Sequence, residues 1–318
     1  MTDLSKYKFN HTMLRVKDPK KSLEFYKDKL GMTLIRTLDF PEAKFCLYFL
    51  AYDVEGSTNY GNVWTDREGL LELTHNYGTE NDPEYKVNNG NADPHRGFGH
   101  ICMSVDNIDL FCNQLEEKGV VFQKKLSDGR QKDIAFALDP DGYWVELIWT
   151  RTPKTENVTN VSSYRLNHTM LRVKDPKKSL RFYQEVLGMK LLRTAEHEGA
   201  KFTLYFLGYN NDPNFVENSG VGVHNFEGVL ELTWNWGTES DPDFKGYHNG
   251  NDQPQGFGHI CVSVDDLDAA CERFEALGVN WKKRLSDGRM KNVAFVLDED
   301  NYWVEIIQNE AIKTNADW

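Results

Sequence analysis

The sequence has no run of about 18 apolar residues, so no membrane-spanning helix is expected. It has no basic excess either. Its 37 Lys and Arg stand against 49 Asp and Glu, a formal net charge of −12, which argues against a nucleic-acid binder and against a polybasic membrane anchor. Cysteine is scarce and odd in number: Cys46, Cys102, Cys112, Cys261 and Cys271. With Cys102 and Cys261 inside apolar runs, all five read as reduced core thiols of a reducing, cytoplasmic compartment. No apolar segment marks the polar stretch Met1–Asn10, so no secretory leader is expected, and the Asn-x-Ser/Thr sequons at Asn10, Asn157, Asn160 and Asn167 are read as chance. A GxxxxGK[ST] phosphate loop is missing. What remains is the balance of a soluble globular protein, 40 % apolar and 27 % charged, in 318 residues, a length that suits about two domains.

Those two domains are copies of each other. Residues 10–23 and 167–180 read the same fourteen letters, NHTMLRVKDPKKSL. LELT recurs at Leu71–Thr74 and Leu230–Thr233, GFGHIC at Gly97–Cys102 and Gly256–Cys261, LSDGR at Leu126–Arg130 and Leu285–Arg289. The offset is 157 residues from His11 to His168 and 159 from His100 to His259, so a net two-residue insertion lies between His168 and Glu231. The reading is a first domain over 1–149, a polar linker over 150–163 that contains Pro153, and a second domain over 164–318.

A weaker repeat lies inside each half. His11–Val16 reads as a strand, followed by Asp18 as N-cap, Pro19 at the first helical position, and an apolar face of Leu23, Phe25, Tyr26 and Leu30 ending at Gly31. His100–Val105 is followed by a second helical pattern with Ile108, Phe111, Cys112 and Leu115, ending at Gly119. Strand-like runs come next at Phe45–Leu50 and Leu70–Thr74, then at Ile134–Leu138 and Tyr143–Ile148. The fold class is therefore α+β, with four βαβββ modules, two in each half.

Alternation along the strands singles out eight polar residues. Each module begins with a strand bearing a histidine and ends with one bearing a glutamate: His11 and Glu72, His100 and Glu146, His168 and Glu231, His259 and Glu305. The spacing from Glu72 to His100 is 28 residues, as it is from Glu231 to His259. A carboxylate on an apolar strand face is costly unless it is paired or binds a cation. Eight such residues make two His₂Glu₂ sets, whose nitrogen and oxygen donors suit Zn²⁺, Ni²⁺, Co²⁺ or Fe²⁺. Spacing alone does not say whether each set forms within a half or across the halves. His75, His95, His197, His224 and His248 have no histidine at the matching place in the other half and are assigned packing or surface roles. Arg15 and Arg172 stand four residues after a ligand-type histidine, on the same strand face, as an inward cation would.

The motifs NHTMLRVKDPKKSLxFY, LELTxNxGTE, GFGHI and DGYWVE together are specific. On them the chain resembles the glyoxalase I (lactoylglutathione lyase) family of the vicinal-oxygen-chelate superfamily, in its double-length fungal form. The resemblance implies metal sites shared between domains, His11, Glu72, His259 and Glu305 in one and His168, Glu231, His100 and Glu146 in the other. It implies two ions per chain, with Zn²⁺ favoured and Ni²⁺ or Co²⁺ as alternatives, since both first-ligand positions are His. The implied reaction is isomerisation of the glutathione–methylglyoxal hemithioacetal, with Glu146 and Glu305 as principal bases and Glu72 and Glu231 acting on the other face of the substrate. Arg15 with Asn76, and Arg172 with Asn235, would bind the γ-glutamyl end of glutathione. Arg96 would join Arg172 and Asn235, where the second half has Gln255. Arg130 and Arg289, in the SDGR turns, are further candidate anion contacts. Phe40, Leu47 and Phe49 match the family's pocket for the S-substituent, and His197 replaces Phe40 in the second half. A monomer is expected, because a fused pair can satisfy the two-domain interface alone. An Fe²⁺ ring-cleaving dioxygenase would need a three-ligand facial triad, and a metal-free sequestering protein would leave the eight residues without purpose.

Overall fold

Each half opens on the duplicated segment, and each copy builds the same strand and helix. The computed structural model describes residues 1–153, 157–220 and 222–312; Lys154, Thr155 and Glu156 of the expected linker, and 313–318 of the second domain, lie outside the described residues. Strand β1 (Lys8–Val16) runs into Asp18, whose side chain accepts the Lys20 N–H at 3.0 Å. Pro19 then starts α1 (Pro19–Leu23). The helix widens into a π-helical turn over Glu24–Lys29, where the Leu30 N–H reaches back five residues to the Phe25 carbonyl at 3.0 Å. That turn departs from the expected helical face. Phe25, Tyr26 and Leu30 are buried, but so is Ser22, while Leu23 is only half-buried, because the wider turn rotates the residues before it.

The first half continues with β2 (Thr33–Phe40), β3 (Phe45–Ala51) and β4 (Leu70–Asn76), then β5 (Phe98–Val105), α2 (Ile108–Glu117), β6 (Phe122–Lys124), β7 (Ile134–Leu138) and β8 (Trp144–Trp149). The second half repeats this order as β9 (Arg165–Val173), α3 (Pro176–Arg181), β10 (Lys190–His197), β11 (Phe202–Gly208), β12 (Val229–Asn235), β13 (Phe257–Val264), α4 (Leu267–Ala276), β14 (Asn280–Lys283), β15 (Val293–Leu297) and β16 (Trp303–Gln308). Two strand types escape their pattern in the sequence. β2 and β10 lie at sheet edges with half their faces wet, and β6 has three residues.

The two eight-stranded sheets do not follow the two halves. One runs β14-β15-β16-β13-β1-β4-β3-β2 and the other β10-β11-β12-β9-β5-β8-β7-β6. Each joins a module of the first half to a module of the second through one antiparallel pair, β1 with β13 or β5 with β9. Parallel neighbours flank that pair: β4 and β16 in one sheet, β12 and β8 in the other. Within a half the two modules are tied by side chains. The Tyr26 hydroxyl donates to Asp139 at 2.9 Å and the Tyr143 hydroxyl to the Arg15 carbonyl at 3.1 Å; Tyr183 to Asp298 and Tyr302 to the Arg172 carbonyl repeat this at 2.7 and 3.1 Å. On the pseudo-twofold axis the hydroxyls of Thr12 and Thr169 meet at 2.5 Å.

Two glycines of the repeated GFGH segments are required by the crossing of the halves. A Cβ on Gly97 would stand 2.0 Å from the His248 carbonyl oxygen, and one on Gly256 would stand 1.9 Å from that of Asn88. The end of the expected linker is also a repeated element. Thr159 and the Asn160 N–H bind the Asp106 carboxylate at 2.7 and 3.0 Å, as Thr2 and the Asp3 N–H bind Asp265 at 2.5 and 2.9 Å.

Because neither sheet closes within one half, residues 1–153 expressed alone should have no complete sheet as a monomer. The expected product is a dimer in which two copies exchange modules, or an unfolded chain. Light scattering after size exclusion checks this, and a stable, folded monomer would contradict it.

Candidate metal centres

The eight residues singled out in the sequence fall into two clusters, buried except for the partly exposed Glu305, each with all four donor atoms within 4.8 Å of one another. Glu305, His259, His11 and Glu72 come one each from the adjacent strands β16, β13, β1 and β4. Glu231, His168, His100 and Glu146 come from β12, β9, β5 and β8. Each cluster thus draws one His and one Glu from each half. Flat strands about 4.8 Å apart would spread four such residues over roughly 14 Å at the backbone, so the donors meet only because the side chains converge.

In the first cluster His11 Nε2 lies 3.0 Å from Glu72, 3.1 Å from Glu305 and 3.2 Å from His259 Nε2. In the second His168 Nε2 lies 3.0 Å from Glu146, 3.1 Å from Glu231 and 3.2 Å from His100 Nε2. The central imidazoles are held by asparagines that sequence reasoning passed over. Register shifts in the β1–β13 and β5–β9 pairings leave Asn10 and Asn167 unpaired, one residue before each histidine. Asn10 donates to the carbonyls of Trp64 and Arg67, both at 2.9 Å, and its Oδ1 lies 2.7 Å from His11 Nδ1. Asn167 does the same with Val223, Phe226 and His168. The amide is thereby oriented with its oxygen toward the ring, which places the proton on Nδ1 and leaves the Nε2 lone pair facing the cluster. The signal in the sequence was the Asn preceding His in both copies of NHTM. Thr74 and Thr233 donate to Glu72 and Glu231 at 2.9 and 3.3 Å.

Two imidazole nitrogens and two carboxylates so close together repel unless a cation or a proton stands between them. The donor set fits a first-row divalent ion. Without one, protons do this work. Burial pushes the His259 imidazole down, but Glu305 and Glu72 hold it up at about 9. Burial pushes Glu72 up, but His11 and His259 hold it down at about 2. Glu146 and Glu305 also fall well below the usual carboxylate range despite burial, through His100 and His259 first.

A cleft of about 720 Å³ opens onto the first cluster, and His259, Glu72 and Glu305 line it. Arg15, Asn76, Phe40, Leu47 and Phe49 line it too, beside Trp64, Lys282 and Lys283, which the sequence did not single out. The Arg15 guanidinium donates to the carbonyls of Gly256 and Phe257 at 3.3 and 3.2 Å and to Asn251 Oδ1 at 2.8 Å, and Arg172 repeats this with Gly97, Phe98 and Asn91. Asn235 donates to the Tyr247 hydroxyl at 2.8 Å. Arg96 is half-exposed, 3.3 Å from Asp93 and within electrostatic reach of Arg172. Gln255 instead donates to the Asn251 carbonyl at 2.9 Å. Arg130 and Arg289 sit on exposed turns, and Arg289 is not among the residues lining the cleft. Phe40 and His197 hold matching places, stacked on Phe45 and Phe202.

The model of the Glyoxalase/Bleomycin resistance protein/Dioxygenase superfamily matches residues 8–147 and 165–306. The chain is 53 % identical over 309 residues to glyoxalase I of Saccharomyces cerevisiae, covering 95 % of this chain and 93 % of that one. It is 54 % identical over 310 residues to the lactoylglutathione lyase of Schizosaccharomyces pombe, covering 97 % and 99 %. Its fold matches crystalline glyoxalase I of Zea mays with a TM-score of 0.69 at 27 % identity, covering 95 % and 92 %.

The proton-held cluster has a pH consequence for metal-free protein. His259 is raised from 6.5 to about 9, so its contribution to stability is full below pH 6.5 and is lost as pH rises through 9. Chelator-treated protein should therefore lose thermal stability between about pH 6.5 and 9, while metal-loaded protein holds its melting temperature better over the same range. Scanning calorimetry of both forms tests this; a metal-free form that gains stability over that window would contradict the arrangement.

Proposed function

The chain belongs to the Glyoxalase/Bleomycin resistance protein/Dioxygenase superfamily, and we propose that its two His₂Glu₂ clusters are the centres of a lactoylglutathione lyase, which converts the hemithioacetal of glutathione and methylglyoxal to S-lactoylglutathione. The observation that carries this reading is the pair of clusters, each completed by both halves on four adjacent strands of one sheet. The ion proposed is Zn²⁺, two per chain, held by His11, Glu72, His259 and Glu305 and by His168, Glu231, His100 and Glu146. When bound, it supplies electrostatic stabilisation to negative charge developing on the two vicinal oxygens of the substrate.

The chain's own residues do the rest. The Glu305 carboxylate, and Glu146 at the other centre, takes the proton from one substrate carbon and returns it to the next, while Glu72 or Glu231 serves the opposite face. Arg15 and Arg172 meet only carbonyl and amide oxygens in the hydrogen bonds they make, so each retains a charge for a carboxylate of glutathione, with Asn76 or Asn235 beside it. Arg96 adds a second cation at the centre of His168. Residues 1–149 and 164–318 are proposed as the units of duplication, joined by 150–163. The protein is proposed to work as a cytoplasmic monomer, since one chain completes both sheets.

Elemental analysis of protein purified without chelator should give close to two ions per chain. In the double variant Glu72→Gln with Glu305→Gln both changes fall in one cluster, so one ion and part of the turnover should survive; Glu72→Gln with Glu146→Gln should lose both. The reverse pattern would assign each metal to a single half.

The Arg96 contrast gives a second test. A charge-assisted contact to a carboxylate contributes about 1.5–3 kcal/mol when sheltered and less at a half-exposed position. The Glu305→Gln enzyme, which keeps the Arg96 centre, should therefore have a KM about 3- to 10-fold below that of Glu146→Gln. Adding Gln255→Arg to the latter should lower its KM. Equal values without response to Gln255→Arg would remove Arg96 from the substrate site.

A further inference from the structure

The two centres share their ligands but not their walls. Asn10 donates to the Trp64 carbonyl and Asn167 to the Val223 carbonyl, at 2.9 and 2.7 Å, so these two residues hold the same backbone place with different side chains. At the His11 centre the Trp64 ring lines the cleft 4.8 Å from Phe49, whose own ring is 5.4 Å from His11. At the His168 centre Val223 is buried beside Phe206, with the half-buried Phe215 and Phe226 packed against that cluster, so the place of Trp64 itself holds an aliphatic side chain. The residue after it, His224, is half-buried within electrostatic reach of Arg151, Arg193, His168 and Asp133.

The facing wall differs in charge. Asn292 and Glu310 line the cleft of the His11 centre. One repeat of 159 residues earlier stand Asp133 and Arg151. These two pair at 3.3 Å with their side chains about half exposed, 54 % and 50 %, and Arg151 lies over the Trp149 ring at 5.2 Å. An ion pair that exposed contributes little, so an incoming carboxylate can replace Asp133 at Arg151 with small loss. At the other centre the same carboxylate would meet Glu310.

We propose that the two centres sort 2-oxoaldehydes by their substituent: the His11 centre takes flat apolar groups against Trp64, and the His168 centre takes groups ending in a carboxylate, paired to Arg151. This rests on reading both clusters as lactoylglutathione lyase centres. Trp64 supplies a broad polarisable face for an aromatic ring. Arg151 supplies a planar fork that matches a carboxylate.

The test uses two single-centre enzymes, Glu305→Gln retaining the His168 centre and Glu146→Gln retaining the His11 centre. Each is assayed with glutathione hemithioacetals of methylglyoxal, phenylglyoxal and 4-carboxyphenylglyoxal. The ratio of kcat/KM for the carboxylated over the plain phenyl substrate should be about 5-fold or more higher at the His168 centre, and the gap should narrow as salt rises. Arg151→Glu in the first enzyme should lower that ratio, and Glu310→Arg in the second should raise it, each about 2- to 5-fold. Both positions are exposed, so folding is not at stake. Trp64→Val in the second enzyme should reduce the preference for phenylglyoxal over methylglyoxal. Failure of both enzymes to turn over methylglyoxal would overturn the lyase reading. Turnover with equal ratios at the two centres, unmoved by either charge reversal, would overturn the sorting alone.

Discussion

The antiparallel pairing of β1 with β13, and of β5 with β9, is the constraint on which the rest of the molecule depends. Among the described residues each is the only strand-to-strand seam between the halves in its sheet. On either side of it lies a parallel strand carrying a glutamate, so one pairing fixes the register of four consecutive donors. The glycines of both GFGH segments serve that same seam, since side chains there would push apart the backbones that cross next to it. Hydrophobic burial supplies most of the stability, but the placement of every donor follows from which strand lies next to which.

The division of labour around each histidine shows the same economy of means. A local register shift frees one asparagine, the asparagine is anchored on two carbonyls of the loop beyond, and the imidazole is left with a single useful lone pair. The ring's orientation is therefore set by backbone far from it in sequence, at residues 64 and 67 for His11 and at 223 and 226 for His168. Those loops differ between the halves, with Trp64 and Arg67 in one and Val223 and Phe226 in the other, so the parts of each centre that carry the donors are alike while the walls beside them are free to differ.

Much of this was legible in the sequence. Duplicated strings gave the copies, and period-two alternation gave the faces on which His11, Glu72 and their counterparts lie. Alternation says which way a side chain points but not which strand lies beside it, so the sharing of a cluster between halves came from resemblance rather than from spacing. The π-turn after Leu23 was invisible because its residues still satisfy a helical pattern within a few positions. Edge strands such as β2 lack a continuous buried face and therefore lack the signal. The equivalence of Trp64 and Val223 lies in a stretch where the two copies differ in length, and it is the hydrogen bonds from Asn10 and Asn167 that define it.

The crossed sheets also impose an order on synthesis. The sheet holding β5 to β12 has all its strands once Asn235 has left the ribosome, so its centre can assemble while the chain is still growing. The other sheet waits for β13 to β16, with β1 already made some 240 residues earlier. At about 5–20 residues per second that interval is on the order of 10–50 s, during which the pairing edge of β1 has no partner within its own chain. Strand order thus lets one centre be completed before the other, and leaves the β13-facing edge of β1 open to a neighbour until the late strands arrive.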